Sequence, residues 1–209
     1  MNPAESPSQL REPYADVAAI RRFRPVDLAG HRNNRGATGR ASIGTGRFNV
    51  WGNSFPADHL PPPGSTLVVG DVPFTMPPPD PAGDNVRCAG QFVSLRALRG
   101  DWVHVLAAAE RRAEDTLALH FADGQVDHEA LRVSDFWAAP AWFGEPAAAR
   151  TPVMHYPHHV QRDVPALLWA QRVPVVRRAS LTGMRFPHNI AVHVFAVTVE
   201  SVGPREELP

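Results

Sequence analysis

The sequence predicts an all-β fold, a single jelly-roll β-sandwich with long Pro/Gly-rich loops, and three observations carry that prediction. The 209 residues include 22 Pro and 15 Gly. Proline lacks a backbone donor and fixes φ, so this density leaves only short windows for helix. Apolar residues, 44% of the chain, fall in short Val- and Ala-rich runs. Gly-Asp, Asp-Gly and Pro clusters separate those runs at the spacing of a sandwich. No linker divides the chain, so we read one domain over residues 17–200. A polar, Pro-containing arm (residues 1–16) precedes it and a short tail (201–209) follows.

In order along the chain, residues 17–24 read as a short helix or strand leading into Pro25. Residues 27–46 (DLAGHRNNRGATGRASIGTG) have loop chemistry, because Gly, Asn and Asp tolerate turn conformations. Residues 48–55 alternate weakly, as a strand would. Residues 66–69 and 72–75 flank Gly70-Asp71, a hairpin turn. Residues 76–84 (MPPPDPAGD) are too proline-rich for regular structure. A strand follows over 86–95, and the run 102–109 (WVHVLAAA) suits a strand buried on both faces. Residues 116–121 alternate and Asp123-Gly124 closes a hairpin. Further strands are expected over 131–136, 167–176 and 190–199, roughly nine in all. The best helical window is 107–115.

Composition removes several functional classes. All 21 basic residues are arginine, so lysine Schiff-base chemistry and a phosphate-loop lysine are excluded. They balance 21 acidic residues, whereas a nucleic-acid binder needs excess positive charge. The single cysteine, Cys88, rules out an internal disulfide and a CxxC site; its turn-like setting suits a structural role. No apolar run reaches the roughly 20 residues of a membrane helix. Residues 1–11 lack a charged-then-apolar leader pattern, so a cytoplasmic location is expected.

The most unusual local feature is His155, His158 and His159, with Tyr156 beside them and Asp163 nearby. Neutral imidazoles ligate zinc and titrate near neutrality, so the cluster is a candidate for metal binding or acid/base work. In an extended segment His155 and His159 share a face and His158 takes the other. A metal site would therefore draw His104, His120 or His193 from the strands to join His155 and His159. A divalent ion, Zn or Ca, is the candidate cofactor, although none is demanded. Trp137 and Trp142, among Pro and Gly, are candidate stacking surfaces; Trp51, Trp102 and Trp169 fall in strand patterns and are assigned to the core. In the glycine-rich loop, Arg32, Arg35, Arg40 and Arg47 suit an anion. Asn33, Asn34, Asn53, Asp84 and Asn85 suit hydroxyl recognition or a structural calcium, and their turn-forming role explains most of them without a ligand.

Four segments carry a resemblance: DLAGHRNNRG (27–36), GNSFPADHLPPPG (52–64), GDVPFTMP with PAGDNVRCAGQ (within 70–91), and MRFPHNIAVHVFAVTVE (184–200). Their order resembles the carbohydrate-binding-type, galactose-binding-like β-sandwich domains appended to bacterial glycoside hydrolases such as α-fucosidases and α-mannosidases. The resemblance implies a jelly roll and sugar recognition. The His-rich segment VMHYPHHVQRD has no counterpart in that pattern.

Two functional expectations follow. The first is a module that binds a carbohydrate or glycosylated small molecule, with Trp137, Trp142, Arg35, Asn34 and Asn53 at one end of the sandwich. The second is a small enzyme of isomerase, lyase or cyclase type using His155, His158, His159 and Tyr156. That alternative requires a pocket holding at least two of those rings together with His104 or His193. The expected partner is a small molecule or glycan, not nucleic acid or membrane, with a homo-oligomer as a further candidate.

Overall fold

The structure, a computed structural model, describes residues 20–137 and 140–203. The predicted arm (1–16) and residues 204–209 of the predicted tail lie outside the described residues. Two antiparallel sheets dominate. The larger has the order β1 (Ile20–Pro25), β14 (Val192–Gly203), β8 (Trp102–Ala109), β12 (Val160–Pro174) and β11 (Ala147–His155), with β6 (Val86–Arg87) also on β14. The smaller has the order β10 (Val126–Val133), β9 (Ala113–Phe121), β13 (Leu181–Arg185) and β7 (Phe92–Leu98). Two small pairs complete the set: β2 (Ala37–Thr38) runs parallel to β3 (Phe55–Pro56), and β4 (Thr66–Val69) forms a hairpin with β5 (Val72–Thr75). Among the described residues no helix is long and apolar enough to cross a membrane.

The central strands of the larger sheet, β8 and β14, are buried on both faces, and this decides where a site can form. Between the sheets lie Val103, Val105 and Ala107 of β8, Leu117 and Leu119 of β9, and Val194, Val197 and Val199 of β14. On the opposite face Leu106, Ala108, Leu168 and Phe195 pack against Phe48, Phe55, Phe74 and Phe136. Segment 27–85 thus forms a third layer. Each buried Val, Leu or Phe among them contributes roughly 1.5–3 kcal/mol through removal from water. The reading of β8 as buried on both faces is correct, since every residue after Trp102 is buried. In β14 the alternation changes phase at a register shift between Val194 and Ala196. Such a bulge moves the residues beyond it to the other face. Thr198 and Glu200 therefore share the third-layer side with His193.

Several elements differ from the sequence reading. Residues 48–55 are not a strand: Asn49 Oδ1 accepts hydrogen bonds from the N–H groups of Trp51 (3.1 Å) and Asn53 (3.0 Å), forming a side-chain-closed turn. Trp51 rides on that turn at 55% exposure, outside the core assigned to it. Trp169 is buried as expected, while Trp102 is partly exposed. The strand expected over 86–95 is two, β6 and β7, because the chain changes sheets between them. The helical window 107–115 is the end of β8, a turn and the start of β9. Strands β11 and β13 lie in segments to which the sequence pattern assigns no strand. The glycine-rich loop holds β2 and two short 3-10 turns, and residues 201–203 extend β14 rather than beginning a tail.

Candidate functional site

Beneath the β4–β5 hairpin, on the third-layer face of the larger sheet, lies a cavity of about 530 Å³. Its floor is β8 and β12, through His104, Ala170 and Arg172. Its walls are Arg21 of β1, Val72 and Phe74 of β5, and the turn around Phe143 and Glu145. The volume falls within the range of small-molecule sites. Strand pairing sets the geometry: Arg172 and Thr198 lie directly opposite His104 on its two sides, and Glu200 lies opposite Trp102. Directly opposed residues in antiparallel strands share a face.

Glu200 organises this face. Its side chain is buried, accepts both Nε and Nη2 of Arg21, and lies 2.7 Å from His104 Nε2. The Arg21 guanidinium holds the Glu200 carboxyl below the ordinary glutamate range. Burial pushes the His104 pKa down, against the opposing pull of Glu200. At neutral pH the pair is therefore a carboxylate and a neutral imidazole. An ionised carboxylate only accepts, so Nε2 carries the proton and donates to Glu200. Nδ1 then bears a lone pair, and among the described residues it has no hydrogen-bond partner.

The residues singled out in the sequence do not converge on one point. His155 is the last residue of β11, 1% exposed. Its Nδ1 lies 2.9 Å from Thr38 Oγ1, which is 2.7 Å from Ser54 Oγ, in a buried chain joining β11 to the third layer. Burial lowers its pKa. His159 has turned away to stack on Tyr156 at 5.1 Å, and its Nε2 meets Gln161. His158 sits in the same turn and is exposed. The strand end at His155 separates rings that an extended segment would have placed on common faces. His104 and His193 occupy opposite ends of the β8–β14 pairing, facing Thr198 and Ala108. The proposed metal ligands are thus not brought together. Among the described residues no group of three or more His, Cys, Asp or Glu is arranged to hold a metal ion.

His193 belongs instead to a buried polar knot. Its ring stacks on Phe48 at 4.2 Å and donates from Nδ1 to Asn85 Oδ1 at 2.9 Å. Asn85 Nδ2 donates to Asp84 Oδ1 (2.7 Å) and to Asn34 Oδ1 (3.1 Å). Asp84 in turn accepts the N–H groups of Gly36 and Ala37. Asn34 and Asn53 are both buried, so their role is internal; Arg35 lies above Asp84 at a separate, proline-lined cavity of about 250 Å³. Cys88 is buried and its thiol pKa is pushed far up by burial, which suits the structural role.

The loop tryptophans are open. Trp142, 57% exposed, has the Arg112 guanidinium 5.0 Å from its ring centroid, and its backbone N–H donates to Ser134 Oγ at 2.8 Å. Trp137, 37% exposed, stacks on buried Phe136.

The cavity around His104 escaped the sequence reading because its parts come from β1, β5, β8, β12 and β14. The one available signal was His104 inside a fully apolar strand, since a polar ring there requires a partner. Residues 22–202 match the family model described as the AziU2-like beta-sandwich domain. No curated protein matches the chain.

Proposed function

The chain belongs to the AziU2-like β-sandwich domain family, and from that architecture we propose that it binds a carbohydrate or a glycosylated small molecule in the cavity beside His104. One observation carries the reading: the cavity combines polar groups without hydrogen-bond or ion-pair partners among the described residues, His104 Nδ1 and the Arg172 guanidinium, with the apolar surfaces of Phe74 and Phe143. Sugars present both hydroxyl groups and C–H faces, which such a wall meets with hydrogen bonds and dispersion contacts. The resemblance to galactose-binding-like domains points the same way.

The test is a panel of mono- and disaccharides followed by saturation-transfer NMR. Ala170, opposite Leu106 on the cavity floor, is replaced by phenylalanine to fill the space. Signals present in the wild type are expected to vanish in Ala170→Phe and persist in Trp142→Ala. The reverse pattern moves the site to the loop tryptophans, and silence from every sugar removes the reading.

A second reading, acid/base catalysis of isomerase, lyase or cyclase type on the bound molecule, draws on the Glu200–His104 couple. A carboxylate that fixes an imidazole's tautomer leaves the other nitrogen available as a base. It requires that His104→Gln abolish turnover with ligand affinity within about threefold of wild type. Loss of affinity with turnover intact overturns it.

A further inference from the structure

We infer that the ligand of this cavity is a hydroxylated acid, carrying a carboxylate or phosphate a few ångströms from a hydroxyl group. The inference deepens the binding reading above and rests on it. Its basis is the charge left over once the protein's own pairs are made. Glu200 is taken by Arg21 and His104, and Glu145 accepts the backbone N–H groups of Ser134 and Phe143. Glu145 in the cavity wall and Glu200 behind Arg21 and His104 are therefore satisfied from within the chain, and Asp71 at the hairpin tip lies 3.7 Å from Arg21 Nη1. Arg21 is satisfied as well, through Glu200.

Arg172 is the exception. Its guanidinium lies 4.5 Å from the centroid of the Trp102 ring, and among the described residues it has no carboxylate or carbonyl partner. Stacking restrains an otherwise mobile side chain and leaves its N–H donors open, the arrangement that suits bidentate capture of an oxyanion. Across the strand pair, His104 presents Nδ1 as an acceptor. The neutral imidazole, with Nε2–H committed to Glu200, takes a hydrogen bond from a hydroxyl and offers none in return. Arg172 and His104 are directly opposed on one face and both line the cavity, so a single sugar acid or sugar phosphate can set its acid group on the first and a hydroxyl on the second. A cationic ligand would meet two guanidinium groups, while the one carboxylate in the cavity lining, Glu145, is held by backbone N–H groups.

Isothermal titration with glucose, glucuronate and glucose 6-phosphate, on the wild type, Arg172→Gln and Arg172→Lys, tests this. At least one acid is expected to bind the wild type tenfold or more tightly than glucose, and to weaken as salt is raised. Arg172→Gln is expected to erase that preference while keeping the wild-type circular dichroism spectrum. Arg172→Lys retains part of it, since the charge survives without the planar fork. The two acids show whether carboxylate or phosphate is the better occupant. If glucose binds as tightly as both acids, the acid inference fails and the binding reading stands. If no sugar, neutral or acidic, binds at all, both fail. An acid preference that survives Arg172→Gln overturns the assignment of the anchor.

Discussion

Gly83→Ala is expected to cost about 4 kcal/mol of stability, among the largest effects of any single substitution. Gly83 has φ +128°, a conformation open in practice to glycine alone. A Cβ added there overlaps the backbone carbonyl of Asn34. Backbone cannot rotate away as a side chain does, so the two chain segments must part. They are the segments joined by the bond from Asp84 N to Asn34 O at 3.0 Å and by the Asn85 amide. Parting them also removes the acceptors of Gly36 and Ala37 and the partner of His193. Thermal unfolding is expected to shift down by roughly 8–15 °C. Gly124→Ala is the control: Gly124 also has positive φ, +81°, but nothing lies near an added Cβ. It is expected to cost about 1–2 kcal/mol. Equal losses for the two would show that φ alone, not the clash with Asn34, sets the effect.

Glu200→Gln is expected to destabilise the protein by about 2–3 kcal/mol at pH 7. Breaking a buried ion pair commonly costs about 3–5 kcal/mol. The lower figure applies because the Arg21 side chain is 38% exposed and water takes back part of its solvation. The amide still accepts from His104 Nε2, so the tautomer of the ring is kept. The pH dependence is the sharper signature. The folded-state pKa of Glu200 lies below its ordinary value of 4.5. At acid pH the unfolded chain therefore takes up the proton first, so the contribution is complete above that value and fades as pH falls through the folded pKa. Urea unfolding of both proteins from pH 7 to pH 3 is expected to show a gap that is constant down to about pH 5 and narrows below it. A gap unchanged at pH 3 would show that the carboxylate charge contributes nothing. His104, His155 and His193 also have lowered pKa values through burial. Each adds stability present above about 6.5 and lost below it. Both proteins are therefore expected to weaken from mildly acid pH.

The local parts of this molecule were legible because local chemistry makes them. Gly70-Asp71 and Asp123-Gly124 close hairpins whose strands are neighbours in sequence, β4 with β5 and β9 with β10. The run of β8 announced burial on both faces, and residues 76–84 could not pair. The His-rich segment misled because spacing alone does not reveal where a strand stops. His155 is the final residue of β11 and points into the protein, while His158 and His159 lie beyond the strand end. Trp51 misled for a similar reason: Asn49 closes a turn and lifts the ring outward.

By itself the sequence determined the all-β class, the two tight hairpins and the exclusion of lysine and disulfide chemistry. These depend on backbone geometry, on composition and on neighbours a few residues apart. Only the tertiary structure decided that Arg21, His104, Arg172 and Glu200 meet at one cavity. Arg21 and Glu200 are 179 residues apart, and their meeting depends on pairing order and on a bulge in β14 that turns Glu200 to the same face as His104. A one-residue shift of that register would send the carboxylate to the opposite face and leave the imidazole unpartnered.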